Sequence, residues 1–159
     1  MTTKIKPEKK PHINRWQPHV TVAAIIKHEN KFLFVEELIN GQKFINQPAG
    51  HLEKNESFVE AVSRETLEET GWHFVPQFLI GIYRWVHPHT QETFLRHCFT
   101  GEATHQEQNY QLDKGILRTL WLDKNELKQH PSELRSPLVS QCIDDFETGV
   151  RYPIDLYRA

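Results

Sequence analysis

The segment SFVEAVSRETLEETG, residues 57–71, constrains the fold of this chain more than any other stretch. Ser57 followed three residues later by Glu60 matches a capping box, and Gly71 stands where a left-handed helix stop would fall. These features predict a helix from about residue 58 to residue 70. It is the one strongly helical segment of the chain, and both of its ends are marked.

The acidic residues of this helix continue its apolar stripe. On a helical wheel with about 100° per residue, Ala61 and Val62 fall within about 60° of Phe58. Glu65 and Glu69 fall within the same arc. We therefore expect these two carboxylates to face a cleft rather than open solvent.

The helix carries too few cations to neutralise its acids, because Arg64 is its only basic residue. Two like charges about 4 Å apart repel by roughly 4 kcal/mol at an effective dielectric constant near 20, so a partly enclosed acidic cluster requires a counter-charge. Carboxylate oxygens without cysteine or a matched pair of histidines favour Mg²⁺ or Mn²⁺ over zinc. The cluster therefore predicts metal-assisted attack of water on a phosphoryl group.

The rest of the chain predicts two groups of strands. A first hairpin is predicted from HVTVAAII and KFLFVEEL, which the polar turn KHEN separates. A second, longer hairpin is predicted from FVPQFLIGIYRWVHP and ETFLRHCFTGEA, and after it come the strand LRTLWL and the helices DKNELKQ and SPLVSQCIDDFETG. The order strand-rich, helix, strand-rich, helix lacks the regular alternation of a doubly wound parallel sheet and predicts an α+β fold.

Composition limits the classes of function. The chain has 159 residues, 38% of them hydrophobic and 25% charged, which suits one domain at residues 17–159 after a disordered basic extension at residues 1–16. A net charge of -2 gives no basic field for nucleic acid. We expect no secretory signal, membrane span, zinc cluster or disulfide, since Cys98 and Cys142 are far apart, and hence a cytoplasmic protein.

Residues 50–72, GHLEKNESFVEAVSRETLEETGW, resemble the box of the Nudix hydrolase family. The fixed positions of that box are occupied by Gly50, Glu56, Arg64, Glu65, Glu68, Glu69 and Gly71. Two positions depart from it, because Thr66 stands where the family prefers an aliphatic residue and Trp72 replaces the final aliphatic one. Both positions concern the packing of the helix, so we expect altered stability and retained activity.

The resemblance implies a Nudix-type α/β/α sandwich around a mixed β-sheet, in which residues 50–72 form a catalytic loop-helix-loop. It also implies hydrolysis with Mg²⁺ or Mn²⁺ of a nucleoside diphosphate linked to another moiety. By position, the implied catalytic metal ligands are Glu65, Glu68 and Glu69, together with the backbone carbonyl of Gly50. The implied structural supports of the box are Glu56, Arg64 and Gly71, of which the first two form a pair that fixes the loop to the helix.

Much of residues 18–155 resembles a bacterial group of monomeric, cytoplasmic Nudix phosphatases. The resemblance implies release of orthophosphate from nucleoside tri- and diphosphates and from the pyrophosphorylated pyrimidine precursor of thiamine. Two alternatives stay open. One is a pyrophosphohydrolase acting on ADP-ribose-like or dinucleotide substrates, which Pro88 weakly favours, and the other is a non-catalytic nucleotide-binding module, which would have lost box acids.

The general base and the substrate-binding residues are not assigned by the sequence. Glu65 is one candidate base, and the alternatives outside the box are Glu102, Glu107 and Asp113. Candidate phosphate clamps, each equally interpretable as an exposed structural pair, are Arg15, Arg84, Arg96 and Arg135. Aromatic residues expected in the core unless a pocket exists for a base are Trp16, Phe44, Tyr83 and Trp85. Histidines without the companion ligands of a closed zinc site are His87, His89 and His97.

Overall fold

The structure is a computed structural model that describes residues 16–158. The predicted basic extension therefore lies outside the described residues, except for Trp16. The strands are β1 (His19–Ile25), β2 (Lys27–His28), β3 (Lys31–Ile39), β4 (Gln42–Asn46), β5 (Ala49–His51), β6 (Trp72–Val86), β7 (Thr93–Gln106), β8 (Ile116–Leu122) and β9 (Tyr152–Pro153). The helices are α1 (Phe58–Thr70), α2 (Lys124–Leu127) and α3 (Leu138–Glu147), and a 3₁₀ turn follows at Ile154–Leu156.

Five strands form a mixed sheet in the order β5-β1-β7-β6-β9. β1 runs parallel to β7, whereas the other neighbours in this sheet are antiparallel. The second predicted hairpin is confirmed, because β6 and β7 pair from Trp72 opposite Gln106 to Val86 opposite Thr93. This long hairpin forms the centre of the sheet.

The first predicted hairpin is wrong, because β1 and β3 lie in different sheets. The second sheet is antiparallel and pairs β3 with β2, β4 and β8. The KHEN turn is present, but it joins the short β2 to β3, with Lys27 opposite Phe32. The chain thus changes sheet at Ile26, whose carbonyl accepts a hydrogen bond from the Leu33 amide at 2.9 Å.

Helices cover both faces of the mixed sheet. Val22 and Ala24 of β1 pack in the same cluster as Val62 of α1. The alternate residues Ala23 and Ile25 pack in a second cluster with the buried side of α3. The α+β class and the α/β/α sandwich around a mixed sheet are therefore confirmed.

Helix α1 begins and ends where the sequence predicts. The Ser57 hydroxyl accepts a hydrogen bond from the Glu60 amide, and the Glu60 carboxylate accepts one from the Ser57 amide. Gly71 ends the helix with a φ of 71°, a left-handed conformation that glycine adopts at little cost. No helix of the described chain is long and apolar enough to cross a lipid bilayer.

Candidate active site

The two glutamates on the apolar stripe of α1 are turned away from open solvent, as the helical wheel predicts, and of the two it is Glu69 that lines a cleft. Glu65 is 9% exposed and Glu69 is 8% exposed, whereas the Glu68 side chain keeps 34% of its surface in contact with solvent. The Glu69 carboxylate accepts a hydrogen bond from the Ala49 amide at 2.9 Å and lines a cleft at the end of β5. Helix α1, on one face of the mixed sheet, therefore places the Glu69 carboxylate at the rim of that cleft.

Gly50 is held against the Glu65 side chain. The pairing of β5 with β1 places Gly50 opposite Val22. A Cβ atom at Gly50 would overlap the carboxyl carbon and both carboxyl oxygens of Glu65. The glycine is thus required for close approach of backbone and carboxylate, and its role as a ligand through its carbonyl stays a prediction.

Arg64 connects the loop before α1 to two of the predicted metal ligands. Its Nε and Nη2 atoms donate to the two carboxylate oxygens of Glu56 at 3.0 and 2.7 Å. Its Nη1 atom donates to Glu65 at 2.8 Å and to Glu68 at 3.0 Å, and Nη2 also donates to the carbonyl of His51. The hydrogen bonds from Arg64 lower the pKa of Glu56, and the predicted pair between loop and helix is present.

Within residues 16–158, no group of three or more His, Cys, Asp or Glu side chains forms a ready-made metal site. Arg64 occupies oxygens of Glu65 and Glu68. Burial raises the pKa of Glu65 and, more strongly, that of Glu69, and the nearby charge of Asp113 adds to both effects. These hard oxygen donors fit a divalent cation. To bind it, Glu65 and Glu68 would release their hydrogen bonds from Arg64.

Of the three acids considered as bases outside the box, Asp113 contacts α1 and its charge acts on two of the box glutamates. Its backbone amide donates to the Glu68 carbonyl at 3.0 Å, and its charge raises the pKa of Glu69 after the larger effect of burial. The Glu107 carboxylate instead lies 2.7 Å from Nε2 of His73 on β6. Glu102 lies on β7, where it is the cross-strand neighbour of Val75 on β6.

The cleft beside Glu69 has a volume of about 280 Å³ and receives residues from both sheets. Candidates that the structure brings to it are Trp85, His87, Arg96 and Arg135. Tyr83 lies in the core, as expected for a strand aromatic, and its hydroxyl donates to Asp145 at 2.9 Å. The remaining candidates lie outside the cleft: Trp16, Arg84 and His89 are exposed, Phe44 packs beneath Arg135, and His97 is 2.7 Å from the Tyr157 hydroxyl. Arg15 is not among the described residues.

Four polar residues of this region were not anticipated from the sequence. They are Glu37, Asn46, Gln47 and Ser136, and the last three are buried. Asn46 is the last residue of β4 and Gln47 follows it, at a place where a polar pair is ordinarily read as the start of a loop. Only the meeting of the two sheets turns these strand-end residues into a buried network.

Comparison with known proteins identifies the family. The sequence model of the NUDIX domain matches residues 17–141. The chain is 43% identical over 141 residues to phosphatase NudJ of Escherichia coli strain K12, and the match covers 89% of this chain and 91% of that protein.

Solved structures agree with this result. A NUDIX hydrolase from Nitrosomonas europaea superimposes with a TM-score of 0.88 at 44% identity, covering 90% of this chain and 97% of that one. A MutT NUDIX hydrolase from Burkholderia pseudomallei, at 18% identity and a TM-score of 0.69, shares the fold over 81% of this chain and 98% of its own. The chain therefore belongs to the Nudix family, as a hydrolase that acts on phosphoric anhydride bonds.

Proposed function

We propose that this protein is a phosphatase that depends on Mg²⁺ or Mn²⁺ and releases orthophosphate from nucleoside tri- and diphosphates. We include the pyrophosphorylated pyrimidine precursor of thiamine among its substrates. The observation that carries the proposal is a cleft with the buried acid Glu69 at its rim and two arginines, Arg96 and Arg135, on its walls. Similarity to phosphatase NudJ supports the choice of phosphatase over pyrophosphohydrolase.

In this proposal the cation is held by Glu65, Glu68 and Glu69, with the Gly50 carbonyl as a further ligand. A bound cation supplies a Lewis acid for a phosphoryl oxygen and activates water at neutral pH. The Ala49 amide orients the Glu69 carboxylate through a hydrogen bond of 2.9 Å.

Other residues of the box keep these ligands in position. Glu56 and Arg64 fix the loop before α1 to the helix through two hydrogen bonds. Gly71 allows the helix to stop, and its carbonyl then accepts a hydrogen bond from the Glu107 amide at 2.9 Å. That contact anchors the loop that carries Asp113 beside the acids.

We also propose that residues 17–159 form one domain that acts as a monomer in the cytoplasm and has small phosphorylated molecules, not nucleic acid, as partners. Both cysteines, Cys98 and Cys142, are buried free thiols, which suits a reducing compartment. Sedimentation velocity of the purified protein tests the monomer, and a dimer at micromolar concentration would contradict it.

The substrate proposal is tested by incubating the purified protein and Mg²⁺ with ATP, ADP, ADP-ribose and the pyrophosphorylated thiamine pyrimidine. Products are identified by chromatography and ³¹P NMR. We expect orthophosphate from ATP, ADP and the pyrimidine. Formation of AMP and ribose phosphate from ADP-ribose alone would contradict the proposal in favour of a pyrophosphohydrolase. A Glu69→Gln variant that kept full cation-dependent activity would contradict the ligand assignment.

A further inference from the structure

Arg96 is a buried cation in the cleft whose hydrogen bonds go to neutral groups. It is 8% exposed and lies on β7, opposite Thr21 of β1. Its Nη1 atom donates to the side-chain oxygen of Gln47 at 3.1 Å, and its Nη2 atom donates to that of Asn46 at 3.2 Å. Among residues 16–158, no carboxylate forms a salt bridge with it. A buried charge without an oppositely charged partner in contact is destabilising, so an anion is expected to complete the site.

The acid nearest to this arginine through hydrogen bonds is Glu37, and a second arginine shares it. Asn46 bridges the groups, because its amide nitrogen donates to Glu37 at 2.8 Å while its oxygen accepts from Arg96. The other Glu37 oxygen lies 3.6 Å from Nε of Arg135. One carboxylate therefore faces two guanidinium groups, and this side of the cleft has a surplus of positive charge.

The guanidinium is held in place before any ligand binds, and an unsatisfied hydroxyl lines the same cleft. The Gln47 amide nitrogen donates to the Val139 carbonyl at 2.8 Å, which ties the network to α3. The hydroxyl oxygen of Ser136, another residue of the cleft wall, is buried without a hydrogen-bond partner among the described residues. A fixed, planar donor and an unsatisfied hydroxyl that line the same cleft are suited to phosphate oxygens.

We propose that Arg96, together with Arg135, binds the non-bridging oxygens of the substrate's diphosphate group in the cleft that Glu69 borders. The cleft then offers Glu69 of the box toward a cation and the two arginines toward the anion. This inference rests on the proposed function for its choice of substrate group. It assigns the substrate-binding role to residues outside the box.

The test uses methylenediphosphonate, a diphosphate analogue that cannot be hydrolysed, and measures its binding by isothermal titration calorimetry in Mg²⁺. We expect Arg96→Gln to weaken binding by about tenfold or more, because charge-assisted hydrogen bonds are lost, and Arg96→Lys to recover part of the affinity. Arg84→Gln is the matched control, because Arg84 is exposed on β6 outside the cleft, and it should bind as the wild type does. Binding by folded Arg96→Gln within twofold of the wild type would overturn the proposal.

A measurement on the unaltered protein covers the case in which Arg96→Gln does not fold. The side-chain Nε–H resonance of Arg96, assigned with the Arg96→Lys variant, should shift when methylenediphosphonate is added, and that of Arg84 should not. An unshifted Arg96 resonance at saturation would overturn the inference.

The inference and the proposed function fail in different ways. Binding of the analogue through Arg96 without orthophosphate release from any nucleotide would support the inference and contradict the phosphatase. Orthophosphate release with the same KM in the wild type and in Arg96→Gln would overturn the inference and leave the phosphatase standing.

Discussion

Gly50 and Glu65 depend on each other at the scale of single atoms, because the glycine leaves the space that the carboxylate fills. We expect Gly50→Ala to displace the Glu65 side chain and to lower kcat by about 10²-fold, the cost of a misplacement near 1 Å. Steady-state kinetics with ATP measure the loss, and thermal unfolding shows whether the variant is folded. A folded Gly50→Ala protein with unchanged kcat would contradict the role of this close approach.

Glu56, in the loop before α1, is bound to Arg64 of the helix, and the folded protein favours the ionised form of its carboxylate. Its carboxylate, 15% exposed, accepts two hydrogen bonds from Arg64, which lower its pKa, and a third from the Glu53 amide. The pKa of Glu56 is lower in the folded protein than in the unfolded chain. The carboxylate therefore stabilises the fold at pH values above its pKa in the unfolded chain, and this stabilisation is lost as the pH falls through its pKa in the folded protein.

Glu56→Gln should therefore lower the free energy of unfolding at pH 7 by about 1–2 kcal/mol. The difference from the wild type should shrink as the pH falls below about 4, where the wild-type carboxylate also becomes protonated. Urea denaturation at several pH values measures both effects. A difference that stayed constant from pH 7 to the acid range would exclude the ion pair as its cause.

The two departures from the box have different local explanations. Thr66 is fully buried, and its hydroxyl donates to the Val62 carbonyl at 2.7 Å, so the polar atom is satisfied within the helix. Trp72 is partly buried, with its ring centroid 6.3 Å from that of Trp121. Both residues serve packing, in agreement with the expectation from their positions, and neither contacts the cleft.

At the scale of elements, α1 could be predicted almost to the residue because its signals are local. The capping box, the apolar stripe and the glycine stop all lie within residues 57–71. The pairing of β1 could not be predicted in the same way. Its partner β7 begins more than 60 residues later, and nothing within the apolar run of residues 19–26 distinguishes a parallel partner from an adjacent hairpin strand.

The contribution of the N-terminal cap of α1 to stability can be tested without altering the acids of the helix. Ser57→Ala removes the hydroxyl that accepts from the Glu60 amide, and we expect a loss of about 1 kcal/mol in the free energy of unfolding. Activity at a temperature where the protein is folded should not change, since Ser57 lies at the other end of the helix from Glu69. Ser57→Thr, which can keep the cap, is the control. Equal destabilisation by both substitutions would contradict the capping role.

At the scale of the whole molecule, the cleft forms where the two sheets meet. Its arginine side joins strands of both sheets, through Glu37 and Asn46 of the second sheet and Arg96 of the first. Arg96 and Arg135 were two of the four candidate phosphate clamps in the sequence, and nothing in the sequence distinguished these two from the other two. That distinction depends on where the two sheets meet, which is a property of long-range pairing.

Cation binding should stabilise the whole fold in a way that depends on pH. Burial raises the pKa of Glu69, so in the cation-free protein this carboxylate destabilises the fold increasingly as the pH rises, and the cost is relieved by protonation as the pH falls. A divalent cation competes with that proton. We therefore expect Mg²⁺ to raise the free energy of unfolding, by about 2.7 kcal/mol at a hundred times its Kd, with an apparent affinity that increases with pH as Glu69 loses its proton.

Thermal unfolding with EDTA and with increasing Mg²⁺ measures this stabilisation. Glu69→Gln is the matched variant, because the amide oxygen can still accept from the Ala49 amide while the charge is absent. In EDTA it should be more stable than the wild type at pH 8, and it should gain little from Mg²⁺. An equal Mg²⁺-dependent gain in both proteins would place the cation elsewhere, and a gain in the wild type that did not change with pH would show that buried carboxylates do not hold it.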